Sequence, residues 1–218
     1  MSSTHTLLSA LSKFQPECRF YFAASSEIFG SPISSHQSEL TPFNPRSVYG
    51  ISKLAGFHLC KSFRENKGIH LSNGILFNHE SPRRGGEYVT KKIISQAVAI
   101  TQGKAKTSRL GNLDAKRDWG HAKDYVLAMQ KMTELEKPDD FVIATGINHS
   151  VRDFCEKTFS LLGLNYLDHV VSDPLFFRPS EMIPLCGDNR KALKTLNWKP
   201  SYSFESIIEE MLESQLER

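Results

Sequence analysis

Tyr49-Gly50-Ile51-Ser52-Lys53, with Ala24-Ser25-Ser26-Glu27 upstream of it, decides how this chain is read. The run from Arg19 to Ala24 is aromatic-rich and bounded by Pro16 and serines, the pattern of a buried strand. Ser31 to Arg46 carries Pro32, Pro42 and Pro45 and reads as a surface loop. Ser47 then caps a helix predicted to run through Glu65, with Ile51, Leu54, Ala55, Leu59 and Phe63 as its apolar face and Gly68 closing it. Further strands are expected at His70 to Leu76 and Asp140 to Ala144. Helices are expected at Thr6 to Phe14, Tyr88 to Gln102, His121 to Thr133 and Ser150 to Leu162, then after Asp188 and Ser203 as caps. Phe77 to Gly86 and Leu110 to Trp119 read as loops. Strands alternating with helices mean an α/β fold on a largely parallel sheet. The pattern is that of the rear part of a doubly wound, Rossmann-like domain with a smaller mixed α/β lobe.

The same spacing carries chemistry. Tyr49 and Lys53 lie one helical turn apart on one face. An ammonium beside a phenol favours the phenolate and draws a tyrosine pKa of about 10 toward neutrality, which makes a general base. Ser25, Ser26 and Glu27 sit at the carboxyl end of a strand, where open α/β sheets bind ligands.

Composition narrows the class. The 218 residues are 39% hydrophobic and 23% charged, as in soluble globular domains. A net charge of +3 gives no reason to expect a nucleic-acid partner. No apolar run nears the roughly 20 residues of a membrane span, and the N-terminus lacks a signal-peptide pattern. No membrane association and a cytoplasmic location are therefore expected. Cys18, Cys60, Cys155 and Cys186 are scattered without a CxxC, so free thiols and no metal site are expected.

Four strings add a resemblance: ASSEIFG from Ala24, PFNPRSVYG from Pro42, NGILFNHESPRRG from Asn73 and LGNLDAKRDWGH from Leu110. From about Phe20 to Lys199 the chain resembles the extended short-chain dehydrogenases/reductases and, within them, the GDP-mannose 4,6-dehydratases. The resemblance implies NADP as cofactor, GDP-mannose as substrate, and internal hydride transfer with loss of water to GDP-4-keto-6-deoxymannose. It implies catalytic roles for Ser25, Glu27, Tyr49 and Lys53. His79 and Arg84, with Tyr49 and Lys53, would contact the cofactor. Asn78, Lys92, Arg117, Arg178 and Glu181 would hold the nucleotide sugar. Where the family usually has threonine, Ser25 keeps the hydroxyl. The implied division is residues 1–80 and 119–146 for the Rossmann-like part, and 81–118 and 147–218 for the sugar-nucleotide lobe. A homo-oligomer is implied for a complete enzyme.

One family feature has no counterpart here. Neither GxxGxxG nor GxGxxG occurs in the 218 residues, so the glycine-rich first βαβ unit that cradles a pyrophosphate is missing from them. Two alternatives follow: a GDP-sugar reductase or epimerase, which would generally lack a glutamate at position 27, and a non-catalytic fragment of a split gene with a separately encoded N-terminal half. The expectation is that this chain alone is poorly soluble or loosely packed, binds NADP weakly and converts no GDP-mannose. Cooperative unfolding, tight NADP binding in calorimetry and production of GDP-4-keto-6-deoxymannose would overturn it.

Overall fold

The computed structural model describes residues 2–177 and 184–217. Three parallel strands, β1 (Phe20–Ser25), β2 (Leu71–Leu76) and β6 (Asp140–Ile143), form a sheet in the order β1-β2-β6. Alternation along the strands builds both faces. Phe22, Ala24, Ile75 and Val142 pack on one face with Phe57 of α2 (Val48–Lys67). Tyr21, Ala23, Leu76, Phe141 and Ile143 pack on the other, against Tyr125 and Met132 of α4 (Ala122–Glu134) and Ala192 and Leu196 of α6 (Arg190–Leu196). β2 is buried along its whole length, whereas β1 stands at the sheet edge with Phe20 to Ala23 only partly buried. α1 (Ser2–Phe14) lies against α2, with Leu8 fully buried beside Cys60.

A second core is built from helices. α3 (Val89–Thr101), α5 (Val151–Leu161) and α7 (Phe204–Leu216) enclose Ile93, Ile94, Trp119, Phe154, Phe159, Ile208 and Met211. Short strands that the sequence reading left as loop connect the two cores. β3 (Asn78–Glu80) runs parallel to β5 (Lys116–His121), which pairs antiparallel with β7 (Asn148–Ser150). β4 (Ser108–Leu110) pairs with β8 (Val170–Ser172).

Most helix ends follow their caps. Ser47, Ser150 and Ser203 accept backbone N–H groups as expected, and Gly68 closes α2 in the left-handed region at φ 67°. α6 begins one residue later than expected: Asn189 stands at its N-cap, while Asp188 accepts from Arg190 N and pairs with its guanidinium. The apolar face of α2 is also rotated from the expected one. Ile51 is 56% exposed, and Gly50, Gly56, Phe57 and Cys60 are the buried positions. Gly50 and Gly56 let the helix come close to the Glu27 turn and to Phe22 of β1, and Phe57 and Leu54 pack into the sheet core beside them. All four cysteines are free, and no helix of the described residues is long and apolar enough to cross a membrane.

One buried ion pair ties α2 to the far strand of the sheet. Arg64 Nη1 and Nη2 donate to Asp140 Oδ1 and Oδ2 at 2.7 and 2.9 Å, and Asn73 Nδ2 also donates to Oδ1 at 2.7 Å. Arg64 further donates to the Leu71 carbonyl, spanning β2. Removing one partner strands the other charge, so Asp140→Ala should cost about 3 kcal/mol in urea denaturation. A loss within about 0.5 kcal/mol, the usual surface value, would show the pair to be incidental.

Candidate active site

The carboxyl end of β1 turns at once into a single 3-10 turn, Ser26–Ile28. Ser25 Oγ accepts from Glu27 N at 3.3 Å and holds that turn. The N-terminus of α2 is set down directly upon it. Ser47 Oγ accepts from Gly50 N at 2.9 Å as the helix cap and donates to Glu27 Oε2 at 2.5 Å. Gly50 makes the approach possible, because a Cβ there would lie 2.7 Å from the Glu27 carbonyl oxygen. Tyr49, next to this contact, is thereby brought near Ser25, whose hydroxyl is close enough to act on the titration of the phenol.

The phenol of Tyr49 is 51% exposed, yet its pKa is raised. Burial of the ring environment is the main cause; the Ser25 hydroxyl pulls the other way, Glu27 adds to the rise, and Arg84 opposes it. This corrects the sequence argument, in which Lys53 lowers the Tyr49 pKa. Lys53 Nζ donates to the Ala23 carbonyl at 2.8 Å and lies 5.6 Å from the Tyr49 ring centre. Its ammonium is bound to the end of β1 rather than to the phenol, and burial lowers its own pKa.

A cleft of about 910 Å³ opens in front of these groups. Ser25, Glu27, Tyr49, Lys53, Asn78, His79, Arg84, Lys92 and Arg117 all line it. The sequence-predicted residues that fall within the described chain are therefore gathered in one place; Arg178 and Glu181 lie outside the described residues. β3 supplies Asn78 and His79. His79 Nδ1 donates to the Phe77 carbonyl at 2.9 Å and the ring packs on Tyr125, so burial keeps it neutral with Nε2 as its remaining acceptor. Lys92 Nζ donates to the Arg109 carbonyl at 2.7 Å and lies 4.4 Å above the Phe176 ring. Arg117, on β5, donates to the Lys116 carbonyl.

Among the cleft residues that the sequence reading did not name as site residues are Ser47, Glu80 and Tyr88. Ser47 was legible only as a cap. Glu80 and Tyr88 bracket Arg84, and the sequence signal was their place within and just after NHESPRRG.

The geometry joins carboxylates, the Tyr49 phenol and several cations at the carboxyl end of a parallel sheet. Residues 1–211 match the family model described as GDP-mannose 4,6 dehydratase. The chain belongs to that family. The match takes in α1, where the sequence offered no diagnostic string. GDP-mannose 4,6 dehydratase of Cricetulus griseus is 45% identical over 91% of this chain and 58% of its own length. Corresponding values are 48%, 91% and 55% for GDP-mannose 4,6 dehydratase 1 of Arabidopsis thaliana, and 40%, 92% and 61% for the Vibrio cholerae protein. The chain thus spans a little over half the length of these relatives. Among solved structures, RMD from Pseudomonas aeruginosa complexed with NADPH superposes with a TM-score of 0.91 at 21% identity, covering 100% of this chain and 73% of the other. The dTDP-glucose 4,6-dehydratase of Bacillus anthracis in complex with NAD gives 0.86 at 20%, covering 99% and 67%. At that identity they establish the shared α/β fold of the family.

The α2 contact is directly testable. Gly50→Ala must push α2 off the Glu27 turn and should lower stability by about 1–3 kcal/mol. Gly86→Ala, whose added Cβ meets nothing within 4 Å, should leave the denaturation midpoint unchanged. Equal midpoints for the two variants would contradict the close approach.

Proposed function

We propose that this chain carries the catalytic and sugar-nucleotide residues of a GDP-mannose 4,6-dehydratase. The observation that supports the reading best is the convergence of Ser25, Glu27, Tyr49 and Lys53 with Asn78, His79, Arg84, Lys92 and Arg117 on one cleft, in a chain of this family. The division into a Rossmann-like part (residues 1–80 and 119–146) and a lobe (81–118 and 147–218) is part of the proposal, with α6 reaching back to cover the sheet and Trp119 entering the helical core. GDP-mannose is the proposed substrate, with Lys92 and Arg117 toward its diphosphate. Arg178 and Glu181 complete that half of the site on sequence grounds alone.

The cofactor is proposed to be NADP. Tyr49, Lys53, His79 and Arg84 would hold it, and the donor set fits: Arg84 is a cleft-facing guanidinium suited to a phosphate oxygen. Bound NADP would take hydride from sugar C4 and give it back at C6, leaving no net redox change. The chain's own residues manage the protons. Ser25 and Tyr49, which line the cleft together, address the sugar 4-hydroxyl, and Tyr49 accepts its proton. The 4-ketone acidifies C5–H, which Glu27 removes. Glu27 then delivers that proton to the 6-hydroxyl as the C6–O bond breaks and water leaves. Reprotonated from solvent, Glu27 returns a proton to C5, and Tyr49 releases its own to water. Glu27 is exposed to the cleft, and its carboxylate accepts from Ser47 Oγ.

The pyrophosphate would call on a glycine-rich unit, and neither GxxGxxG nor GxGxxG occurs among these residues. Assembly as a homo-oligomer is proposed for the completed enzyme.

The test is turnover of GDP-mannose with the glycine-rich unit of a full-length relative supplied in trans. Tyr49→Phe should lower kcat by about 10²–10⁴-fold with the GDP-mannose Kd nearly unchanged. Glu27→Gln should abolish water loss while NADP still binds. Because the Tyr49 pKa is raised, its base form is favoured as pH rises, so kcat/KM should climb on the alkaline side and Tyr49→Phe should lack that limb. Near-normal turnover in either variant would reject the mechanism; collapse of substrate binding in Tyr49→Phe would make Tyr49 structural.

A further inference from the structure

Glu80, at the end of β3, is 1% exposed and lines the cleft. A carboxylate so deeply buried must be compensated. Thr90 Oγ1, in the first turn of α3, donates to Glu80 Oε2 at 2.6 Å, and Arg84 Nε lies 3.2 Å from the same oxygen. The Arg84 contact is an ion pair rather than an aligned hydrogen bond, since Nε has no hydrogen-bond partner of good geometry. The guanidinium carbon of Arg84 stands 3.5 Å over the ring of Tyr88. Two consecutive turns, closed by Arg84 N to Ser81 O and by Tyr88 N to Gly85 O, fix the intervening backbone. The guanidinium is thus located by charge on one side and by an aromatic face on the other, while it borders the cleft that Tyr49 also lines.

We propose that Glu80 is a positioning residue: held by Thr90, its buried carboxylate fixes the Arg84 guanidinium against Tyr88 so that it faces the cleft as a preformed anion site. Preorganisation removes the side-chain entropy that a free arginine would lose on gripping an anion. The anion half of this inference rests on the cofactor reading above; the positioning half does not. A carboxylate that merely fastened β3 to α3 would contribute to stability and leave the motion of Arg84 untouched.

The experiment labels the 218-residue chain with nitrogen-15 arginine and measures the Nε–H order parameter of Arg84, with adenosine 2′-monophosphate as the anionic probe. The wild-type value should be near 0.8, as in rigid structure, and Glu80→Gln should bring it below about 0.6. The same variant should weaken the probe about tenfold, and should weaken it no further in an Arg84→Ala background. Thr90→Val, which keeps the carboxylate and takes away its donor, should loosen Arg84 in the same direction and serves where Glu80→Gln fails to fold. An Arg84 that is mobile in the wild type, or equally rigid in both variants, overturns the proposal. A guanidinium released by Glu80→Gln, with no response to the probe in the wild type, supports the positioning role and overturns the phosphate reading of the cleft.

Discussion

The Ser47 hydroxyl is the junction on which the site depends. It accepts from Gly50 N to start α2 and donates to Glu27 Oε2 on the turn that ends β1. One hydroxyl offers one donor and two lone pairs, so it can satisfy both partners at once. Helix start and acid position are therefore coupled. Gly50 completes the coupling by letting the helix backbone come within reach of the Glu27 carbonyl. Tyr49 and Lys53 take their places because α2 begins there and at that height. Lys53 then reaches back to the Ala23 carbonyl and ties the helix to the strand from which the turn leaves.

Around that junction the molecule has two cores with different logic. The sheet core is made of alternating side chains on β1, β2 and β6, covered by helices on both faces. The second core is helical, with α3, α5 and α7 closing on Trp119 and Phe154. The link is β5, whose Asp118 is buried and accepts from Thr145 N, Gly146 N and Gly187 N. Burial pushes the Asp118 pKa up, and those donors oppose the shift. The same strand carries Arg117 into the cleft, so the cation is fixed by the element that joins the two cores.

Much of this was legible in the chain. An aromatic-rich run bounded by Pro16 and serines marked β1, and serine and glycine caps marked the long helices. The NHESPRRG and YGISK strings pointed to residues that the fold assembles. What the sequence hid has physical reasons. β3, β4, β7 and β8 are three residues long, so their pairing is decided by tertiary partners rather than local preference. β5 begins with Lys116, Arg117 and Asp118, a poor strand signal, because Asp118 is charged yet buried among backbone donors. The face of α2 was misphased at Ile51 because Gly50 and Gly56, which carry no hydrophobic signal, sit on the buried side with Phe57 and Cys60. Helical spacing placed Lys53 beside Tyr49 but could not say that a carbonyl of β1 would take its ammonium.

The central claim is that one cleft oxidises and reduces the same sugar molecule while Tyr49 and Glu27 handle its protons. GDP-mannose carrying deuterium at C4 tests it most directly, with the complemented chain as catalyst and the product read by proton and deuterium NMR. Internal return of hydride predicts deuterium at C6 of a 4-keto-6-deoxy product, within the same molecule when labelled and unlabelled substrate are mixed. Deuterium retained at C4 of an isomer or reduced sugar, or found in released nicotinamide, would contradict it.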